Sequence, residues 1–334
     1  MMTSTPQHRW LMPLLLVITT LCFLLSLNTG TAHIDALQGI ADIWHQRTSV
    51  EALIVQDVRL PRTVLAMLIG GTLGLAGAAL QGLLRNPLAE PGIIGVSNGA
   101  ALGAVIVFYF GLSAIDWYVL PLGGLLGAAL SVLCLSLLVR HNSNMLTLIL
   151  AGIAINAIGS ALIALALNFA PSPYAMQEIV YWLLGSVTNR SLQDVSIALP
   201  FMLMGWVLML SCGRFLDALT LGEDTAHSLG FPVTRLRWVV VLGVAASIGA
   251  AVSVSGNIGF VGLVVPHLMR PLVGYSPRLL LGVSFWGGAI LLMVADMLVQ
   301  LLSSTGELKL GVITALVGGP FFLWIILRTR TGWI

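Results

Sequence analysis

MLTLILAGIAINAIGSALIALAL, residues 145–167, is a long run without a charged side chain. A helix needs about 20 apolar residues to cross the hydrocarbon core of a bilayer, whereas a strand of a membrane β-barrel alternates over about 10 residues. Residues 11–27 and 279–302 have the same character, and Asp296 is the one charge in them. These runs predict an all-α polytopic membrane protein, in which the backbone groups of each span pair within their own helix.

Composition supports the same fold class. Of 334 residues, 58% are hydrophobic and 8% are charged, against about 25% charged in soluble domains. A soluble domain of this length could not bury so much apolar surface in one core, so lipid must solvate the outward faces. The 36 glycines fit close helix packing in a membrane. A net charge of +2 without a basic cluster does not indicate a nucleic-acid partner.

Hydropathy predicts about ten transmembrane helices. The first is expected to be a retained span, because its apolar stretch exceeds the usual signal-peptide length of about 7–15 residues. Segment 258–269 is the least regular, since it contains Gly259, Gly262 and Pro266 and is short for a span. The predicted spans are 11–28, 63–83, 92–111, 118–139, 145–168, 194–212, 236–255, 258–269, 279–302 and 310–327.

The charge distribution predicts the orientation. With the N-terminus inside, ten of the 15 cationic side chains fall in cytoplasmic segments, in agreement with the positive-inside rule. We therefore expect both termini in the cytoplasm and a multi-pass location in a bacterial inner membrane, surrounded by lipid.

Two related motifs suggest an internal duplication. Residues 59–62 (RLPR) precede a glycine-rich helix and then a segment rich in Gly and Pro. Residues 235–237 (RLR) likewise precede a helix of small residues and then a segment with Gly and Pro, residues 256–271. A single transmembrane domain, residues 1–334, would then consist of two five-helix halves of opposite topology, 1–170 and 190–334, a 5+5 inverted repeat of the kind common among transporters.

Arg59 and Arg62 flank Pro61 at the predicted outer end of the second span. In one interpretation both arginines snorkel to the membrane interface and the proline begins the helix. In the other, two fixed guanidinium groups meet carboxylates of a docking partner.

Residues 86–92 (NPLAEPG) and 95–99 (GVSNG) concentrate proline and glycine around the carboxylate of Glu90 at the start of a span. The pattern indicates a broken helix start, in which Ser97 and Asn98 can satisfy local backbone groups.

The cytoplasmic stretch 216–230 is long for a loop between spans. At helical spacing Ala218, Leu221 and Leu229 share one face, and the acidic and histidine side chains point away. Gly230 is a stop signal for such a helix. The stretch is either a solvated interfacial helix or a docking surface for a cytoplasmic partner.

Asp296 is the other candidate for function, because ionisable residues within spans are usually functional. It lies about one and a half turns from the outer end of its helix, so it can also simply face a wet cavity. The spacing of Cys22, Cys134 and Cys212 matches neither a metal site nor a disulfide framework. The chain has no GxxxxGK[ST] motif for ATP phosphates and no HExxH or CxxC motif, and the sequence predicts no metal site.

Five motifs, in this order, resemble those of the FecCD-type permeases, the membrane subunits of ABC importers for iron–siderophore complexes, haem and cobalamin. The resemblance covers residues 55–328. The motifs are RLPR (59–62), NPLAEPGIIGVSNGA (86–100), LGEDTAHSLG (221–230), GNIGFVGLVVPHLMR (256–270) and GELKLGVITALVGGPFF (306–322).

The resemblance implies a type II ABC importer permease, a homodimer or pseudo-dimer of ten-helix subunits with the pathway at the interface; we expect a homodimer. Arg59 and Arg62 would meet acidic residues of a periplasmic binding protein. Residues 214–232 would be a coupling segment seated on a separate ABC ATPase, so the chain is expected to be a transport subunit, not an enzyme, without a cofactor of its own. The implied coupling residues are Leu221, Gly222, Glu223, Ala226, His227 and Gly230.

The segment 171–190 is the expected outer lining of the pathway, since its aromatic side chains can stack on a haem or a catecholate. Two positions depart from the family pattern: Gln300 stands where relatives often have arginine, and Lys309, where they commonly have proline, can substitute for that charge. The pathway candidates are Asn86, Pro87, Glu90, Ser97, Asn98, Tyr181, Trp182, Arg190 and Asp296.

An iron–siderophore complex is the first expectation for the substrate, because it is the widest class in the family; haem and cobalamin are the alternatives. A function of another class is an ion-coupled secondary transporter with Asp296 as its proton site. An intramembrane enzyme would need a catalytic set that the sequence does not display.

Overall fold

A computed structural model describes residues 7–30, 32, 34–140, 145–302 and 308–330, and all regular elements in these ranges are helical. Short 3₁₀ turns occur at Pro91–Ile94, Leu112–Ala114 and Arg270–Val273. The α-helices are α1 (Gln7–Asn28), α2 (Ala36–Trp44), α3 (Val50–Ile54), α4 (Leu60–Leu84), α5 (Val96–Tyr109), α6 (Val119–Val139), α7 (Met145–Asn168), α8 (Pro173–Leu183), α9 (Leu192–Ser211), α10 (Gly213–Leu219), α11 (Glu223–Ser228), α12 (Val233–Ser255), α13 (Val261–Met269), α14 (Pro277–Leu302) and α15 (Leu310–Arg330).

Seven helical segments in the described ranges are long and apolar enough to cross a membrane. Three shorter apolar helices, Val96–Tyr109, Val261–Val273 and Leu310–Ile325, fall in the other three predicted spans. The all-α fold is therefore confirmed, and the number of ten spans stays a prediction. The seven long segments are Trp10–Asn28, Val50–Leu84, Val119–Val139, Met145–Asn168, Leu192–Ser211, Val233–Ser255 and Pro277–Leu302.

The second span begins earlier than the predicted residue 63. The segment Val50–Leu84 is helical throughout, and a π-helical turn, Val55–Arg59, joins α3 to α4. This turn lies directly before Pro61, whose missing N–H interrupts the regular hydrogen-bond pattern of a helix. The widened turn therefore lets the chain continue as helix through the RLPR motif.

The centre of the bundle is formed by α4, α12 and α14. In the span that contains α4, 89% of the residues of its apolar 18-residue stretch are buried inside the protein, and in α12 the share is 78%. In α1 and in α7 it is only 22%. The outer helices therefore direct their apolar faces away from the protein, as lipid-facing helices do.

Glycine allows the central helices to touch. A β-carbon on Gly74 would lie 2.0 Å from the carbonyl oxygen of Ser284, and one on Gly70 would lie 2.3 Å from that of Gly288. Side chains at these positions would push α4 and α14 apart, which is why small residues mark close helix contacts in membranes.

The two broken segments pack across the bundle. α4 contacts α13, and α12 contacts α5. The two broken segments also meet directly: Glu90, before the turn Pro91–Ile94, accepts a hydrogen bond from the backbone N–H of Phe260 at 2.8 Å, directly before α13 begins. A carboxylate at the N-terminus of a helix is favoured by the helix dipole. The long helices α4 and α12 thus each pack on a short helix that is distant in the sequence.

Candidate functional site

A cavity of about 1260 Å³ occupies one end of the bundle. Its walls come from the start of α4, the loop after α5, α8 with the segment that follows it, the end of α14 and the start of α15. Ligand pockets in proteins usually measure about 300–1,000 Å³, so this space suits a large ligand. We call this end of the molecule the cavity end.

Helix α8 forms one wall and carries aromatic side chains. Ser172 accepts a hydrogen bond from Ala175 N at 3.1 Å and so caps the helix, which begins with a proline. Ile179 and Trp182 are buried and hold the helix on the bundle, and Tyr181 is exposed. The aromatic residues of the lining are Phe108, Tyr109, Trp117, Tyr174, Tyr181 and Trp182.

Arg62 is held by a carboxylate of α14. Its Nε donates to Asp296 Oδ2 at 2.8 Å and one terminal nitrogen donates to Oδ1 at 2.9 Å, while Gln300 Nε2 donates to Oδ2 at 2.9 Å. Asp296 is 1% exposed. A bidentate pair between arginine and a carboxylate fixes the orientation of both side chains and balances their charges. The cluster therefore ties α4 to α14 at the cavity wall.

Arg59 points into the chain. It is 5% exposed and donates to the carbonyl oxygens of Leu27 and Ala32. The first of these carbonyls belongs to the last turn of α1, where the helix leaves its acceptors unpaired. The predicted docking role of Arg59 is not favoured by this arrangement, because the guanidinium group is engaged inside the molecule.

Arg190 and Lys309 line the same cavity. Lys309 Nζ lies over the ring of Tyr181, 5.1 Å from its centroid. The Nε of Arg190 and the Nε1 of Trp182 are buried donors without a hydrogen-bond partner among the described residues. Burial lowers the pKa of the Arg190 guanidinium, and the charge of Asp194 opposes that shift. The lining is thus rich in cations and hydrogen-bond donors.

Of the nine predicted pathway residues, the cavity brings together Tyr181, Trp182 and Arg190, with Asp296 held behind Arg62. The others lie elsewhere. Asn86 and Pro87 are in an exposed turn, in which Asn86 Oδ1 accepts from Leu88 N at 2.9 Å.

Ser97 and Asn98 begin α5 away from the cavity lining. Asn98 donates to Ser160 Oγ at 2.8 Å and to Asn156 O at 3.2 Å. It therefore joins α5 to α7 instead of satisfying local backbone. Residues 95–99 also have the spacing GxSxG, which in hydrolases requires a strand-to-helix turn. Here a 3₁₀ turn precedes the helix, so the motif lacks its context.

The 214–232 segment lies at the opposite end of the bundle and differs from the single amphipathic helix that was expected. It consists of α10 and α11, which are separated at Gly222, where φ is +108°. Leu221 is 67% exposed and Leu229 is 60% exposed, so neither shares the buried face of Ala218. The physical reason is the break itself, since helical spacing does not continue through a glycine in this conformation.

The end of α11 agrees with the predicted stop signal. Gly230 has φ +87°, its N–H donates to His227 O, and the N–H of Phe231 donates to Ala226 O. This is a Schellman C-cap with glycine in the position that requires a left-handed backbone.

Acidic residues anchor this segment to the bundle. Glu223 pairs with Arg237 of α12 at 2.9 Å, and Ala226 on α11 is fully buried. Asp217 Oδ1 accepts from Arg278 N at 2.9 Å in the first turn of α14. The sequence analysis missed Asp217, although Pro277 marks that helix start and so offers a signal for a nearby carboxylate.

Comparison with known proteins assigns the family. Residues 16–328 match the model of the FecCD transport family. The chain is 38% identical to the hemin transport system permease protein HmuU of Yersinia pestis, with 98% of each chain covered. It is 40% identical to the vitamin B12 import system permease protein BtuC of Vibrio cholerae, with 85% of each chain covered.

A solved structure has the same fold. It represents the inward-facing conformation of a transporter assigned to the metal-chelate ABC type, and it covers 96% of this chain with a TM-score of 0.83 and 30% identity. The match extends over 99% of that chain. The protein therefore belongs to the FecCD transport family, as its motifs indicate.

Proposed function

We propose that the chain is the permease subunit of an ATP-driven importer that moves an iron chelate from the periplasm to the cytoplasm. The observation that carries the proposal is that two different features lie at opposite ends of the molecule. A cavity large enough for a chelate lies at one end, and an exposed, anchored helical segment lies at the other. Membership of the FecCD transport family supports this division of roles.

The cavity end is proposed to face the periplasm. This placement follows from the positive-inside rule, which puts both termini in the cytoplasm. It positions α8 and the loop after α5 where a periplasmic binding protein could deliver substrate. Arg62, which lines the cavity, is the better docking candidate of the two arginines, because Arg59 is almost fully buried.

The 214–232 segment is proposed to seat on a separate ABC ATPase. Leu221 and Leu229 give it an exposed apolar surface, and Asp217 and Glu223 fix it to α14 and α12. Force applied to the segment would therefore reach two central helices. A second copy of the chain is proposed to complete the pathway, and the reciprocal contacts of α4 with α13 and of α12 with α5 support a 5+5 repeat.

An iron–siderophore complex is the proposed substrate, with haem and cobalamin as alternatives of the same transporter type. Proteins named for hemin and for vitamin B12 transport are similar to this chain to nearly the same degree. An ion-coupled transporter is less well supported, because Arg62 and Gln300 occupy both oxygens of Asp296.

Deletion of the chain from its native cell tests the proposal. Uptake of radiolabelled iron as siderophore complexes and as haem, and of labelled cobalamin, is measured with and without a plasmid that restores the chain. We expect at least one uptake to fall to background and to recover on complementation. Undiminished uptake of every chelate in the deletion strain would contradict the proposal.

A further inference from the structure

Helix α2 has an exposed apolar face to which the proposed function assigns no role. Leu37, Ile40 and Trp44 lie at positions i, i+3 and i+7 on one side of the helix, and all three are exposed, Trp44 to 84%. Two exposed polar side chains, Gln38 and His45, lie on a neighbouring side. The outward surface of α2 is therefore divided lengthwise into an apolar and a polar face. We call Leu37, Ile40 and Trp44 the apolar stripe.

The remaining side of α2 packs on the protein. Ala36, Gly39 and Asp42 are buried on this side. A β-carbon on Gly39 would lie 2.8 Å from Cγ2 of Val55 and 2.9 Å from the carbonyl oxygen of Glu51, so α2 rests directly on the backbone of α3. This close contact fixes the rotation of α2, and the apolar stripe therefore points away from the chain.

The apolar stripe follows a helix that faces lipid. Leu24 and Leu25, near the end of α1, are exposed, as expected for the outer surface of a span. α1 and α2 share a small hydrophobic core, in which Leu27, Ala36 and Val55 are buried. Because this core joins the last turn of α1 to the first turn of α2, α2 lies at the level at which α1 leaves the apolar part of the membrane.

Arg59 fixes the connection between α1 and α2. It donates to the carbonyl oxygen of Leu27 at 2.7 Å, at the end of α1, and to that of Ala32 in the connection. Gly30 and Ala32 of the same connection, together with Arg59, line the large cavity. The position of α2 is therefore tied to one wall of the cavity through a single buried side chain.

We propose that α2 is an interfacial helix, whose apolar stripe inserts among the phospholipids of the leaflet at the cavity end and so holds one cavity wall at the membrane surface. A helix with separate apolar and polar faces lies in the plane of the interface, with its apolar face about 5–10 Å into the boundary between headgroups and acyl chains. Tryptophan is enriched at this depth, as Trp44 would be. This lipid contact goes beyond the proposed function and does not depend on the cargo.

The charges around α2 indicate which force holds it on the membrane. Residues 35–57 contain four carboxylates and one arginine. Electrostatic attraction to anionic lipid is therefore not expected, and burial of the apolar stripe must supply the binding. The contact should form equally well in vesicles of zwitterionic phospholipid.

Photo-crosslinking tests the proposal. p-Benzoylphenylalanine replaces Leu37, Ile40 or Trp44, one position at a time, and replaces Gln38 or His45 in the matched controls. All five side chains are exposed, so the substitutions should spare the fold. The full-length chain is irradiated in vesicles of phosphatidylethanolamine and phosphatidylcholine, and lipid adducts are quantified by peptide mass spectrometry. We expect at least about fivefold more lipid adduct at the stripe positions than at the two control positions.

Two results would overturn the proposal. The first is an equal yield of lipid adduct at all five positions, or none at the stripe, because either would show that the stripe does not face the acyl chains. The second is capture of a protein in place of lipid when the same variants are irradiated in their native membranes, which would identify a docking surface. Neither result bears on the importer function, which chelate uptake in the deletion strain tests separately.

Thermal stability in lipid nanodiscs provides a second measurement. Leu37→Asp with Trp44→Asp places two carboxylates in the apolar boundary and should lower the apparent melting temperature by about 3 °C or more. Gln38→Asp with His45→Asp adds two carboxylates to the polar face and should change it by about 1 °C at most. Equal effects of the two double variants would contradict the insertion of the stripe.

Discussion

Arg59 and Arg62 are one helical turn apart, and their neighbours give them different roles. The sequence predicts both at the mouth of a span, which is where they lie, but it treats them as equivalent. The acceptors of Arg59 are backbone carbonyls up to 32 residues earlier in the chain, and the partner of Arg62 is 234 residues later. Contacts at these separations depend on how the helices pack, and no local pattern encodes them.

The contacts of Glu90 and Asp217 also could not be predicted from local sequence patterns. Glu90 was expected at a broken helix start and Asp217 was not singled out at all, yet each carboxylate accepts a backbone N–H at the start of a distant helix, α13 and α14 respectively. The sequence does predict that these segments are broken and polar. It does not specify which helix they cap, because that depends on tertiary contacts.

The Arg62–Asp296 pair should be energetically coupled. Removing one member of a buried ion pair leaves an uncompensated charge, typically at a cost of about 3–5 kcal/mol, whereas removing both leaves none. We expect Arg62→Ala and Asp296→Ala each to lower the apparent melting temperature of the detergent-solubilised protein. The double variant should lose clearly less than the sum of the two.

Differential scanning fluorimetry of the four proteins provides this double-mutant cycle. Arg47→Ala, in an exposed loop, serves as the control and should melt within about 1 °C of the unchanged protein. Strictly additive losses from the two substitutions would show that the pair contributes nothing as a pair.

At the scale of elements, the 214–232 segment was only partly predictable. Its amphipathic composition predicted one helix, whereas the structure has two; its final glycine predicted the stop, and α11 ends at Ser228 with Gly230 in its C-cap. The break at Gly222 could have been suspected, since an internal glycine weakens a helix. The burial of Ala226 could not, because it depends on how the segment meets the bundle.

Exposed leucines of this segment should mediate the contact with the ATPase. Leu221 and Leu229 are both more than half exposed, so their replacement should spare the fold. We expect Leu221→Glu with Leu229→Glu to reduce co-purification of the ATPase at least about tenfold, because apolar anchors dominate protein interfaces. The apparent melting temperature should stay unchanged.

The matched control for this experiment is Leu210→Glu with Leu203→Glu on α9, where both leucines are exposed on the outer face of a span. These substitutions should impair membrane insertion or stability and not ATPase binding by the folded protein. Normal ATPase recovery with the Leu221 and Leu229 variant would remove the segment from the interface.

At the scale of the whole molecule, apolar runs and glycine content predicted the all-α fold and the approximate position of seven long apolar helical segments, and the number of ten spans stays a prediction. The sequence indicated that segment 258–269 is short for a span, but it placed the start of the third span at residue 92, whereas α5 begins at Val96 after the 3₁₀ turn Pro91–Ile94 and Gly95. The cavity was partly predicted through segment 171–190. Its other walls come from loops far apart in sequence, which only the packing of the bundle brings together.

The central claim is that transport through this chain is driven by ATP hydrolysis on a partner subunit. The direct measurement is chelate accumulation in proteoliposomes that contain the chain and its ATPase, with the binding protein and chelate on the cavity side. We predict accumulation only with ATP on the opposite side, unaffected by a protonophore. Accumulation without the ATPase, abolished by the protonophore, would contradict the account and identify an ion-coupled transporter.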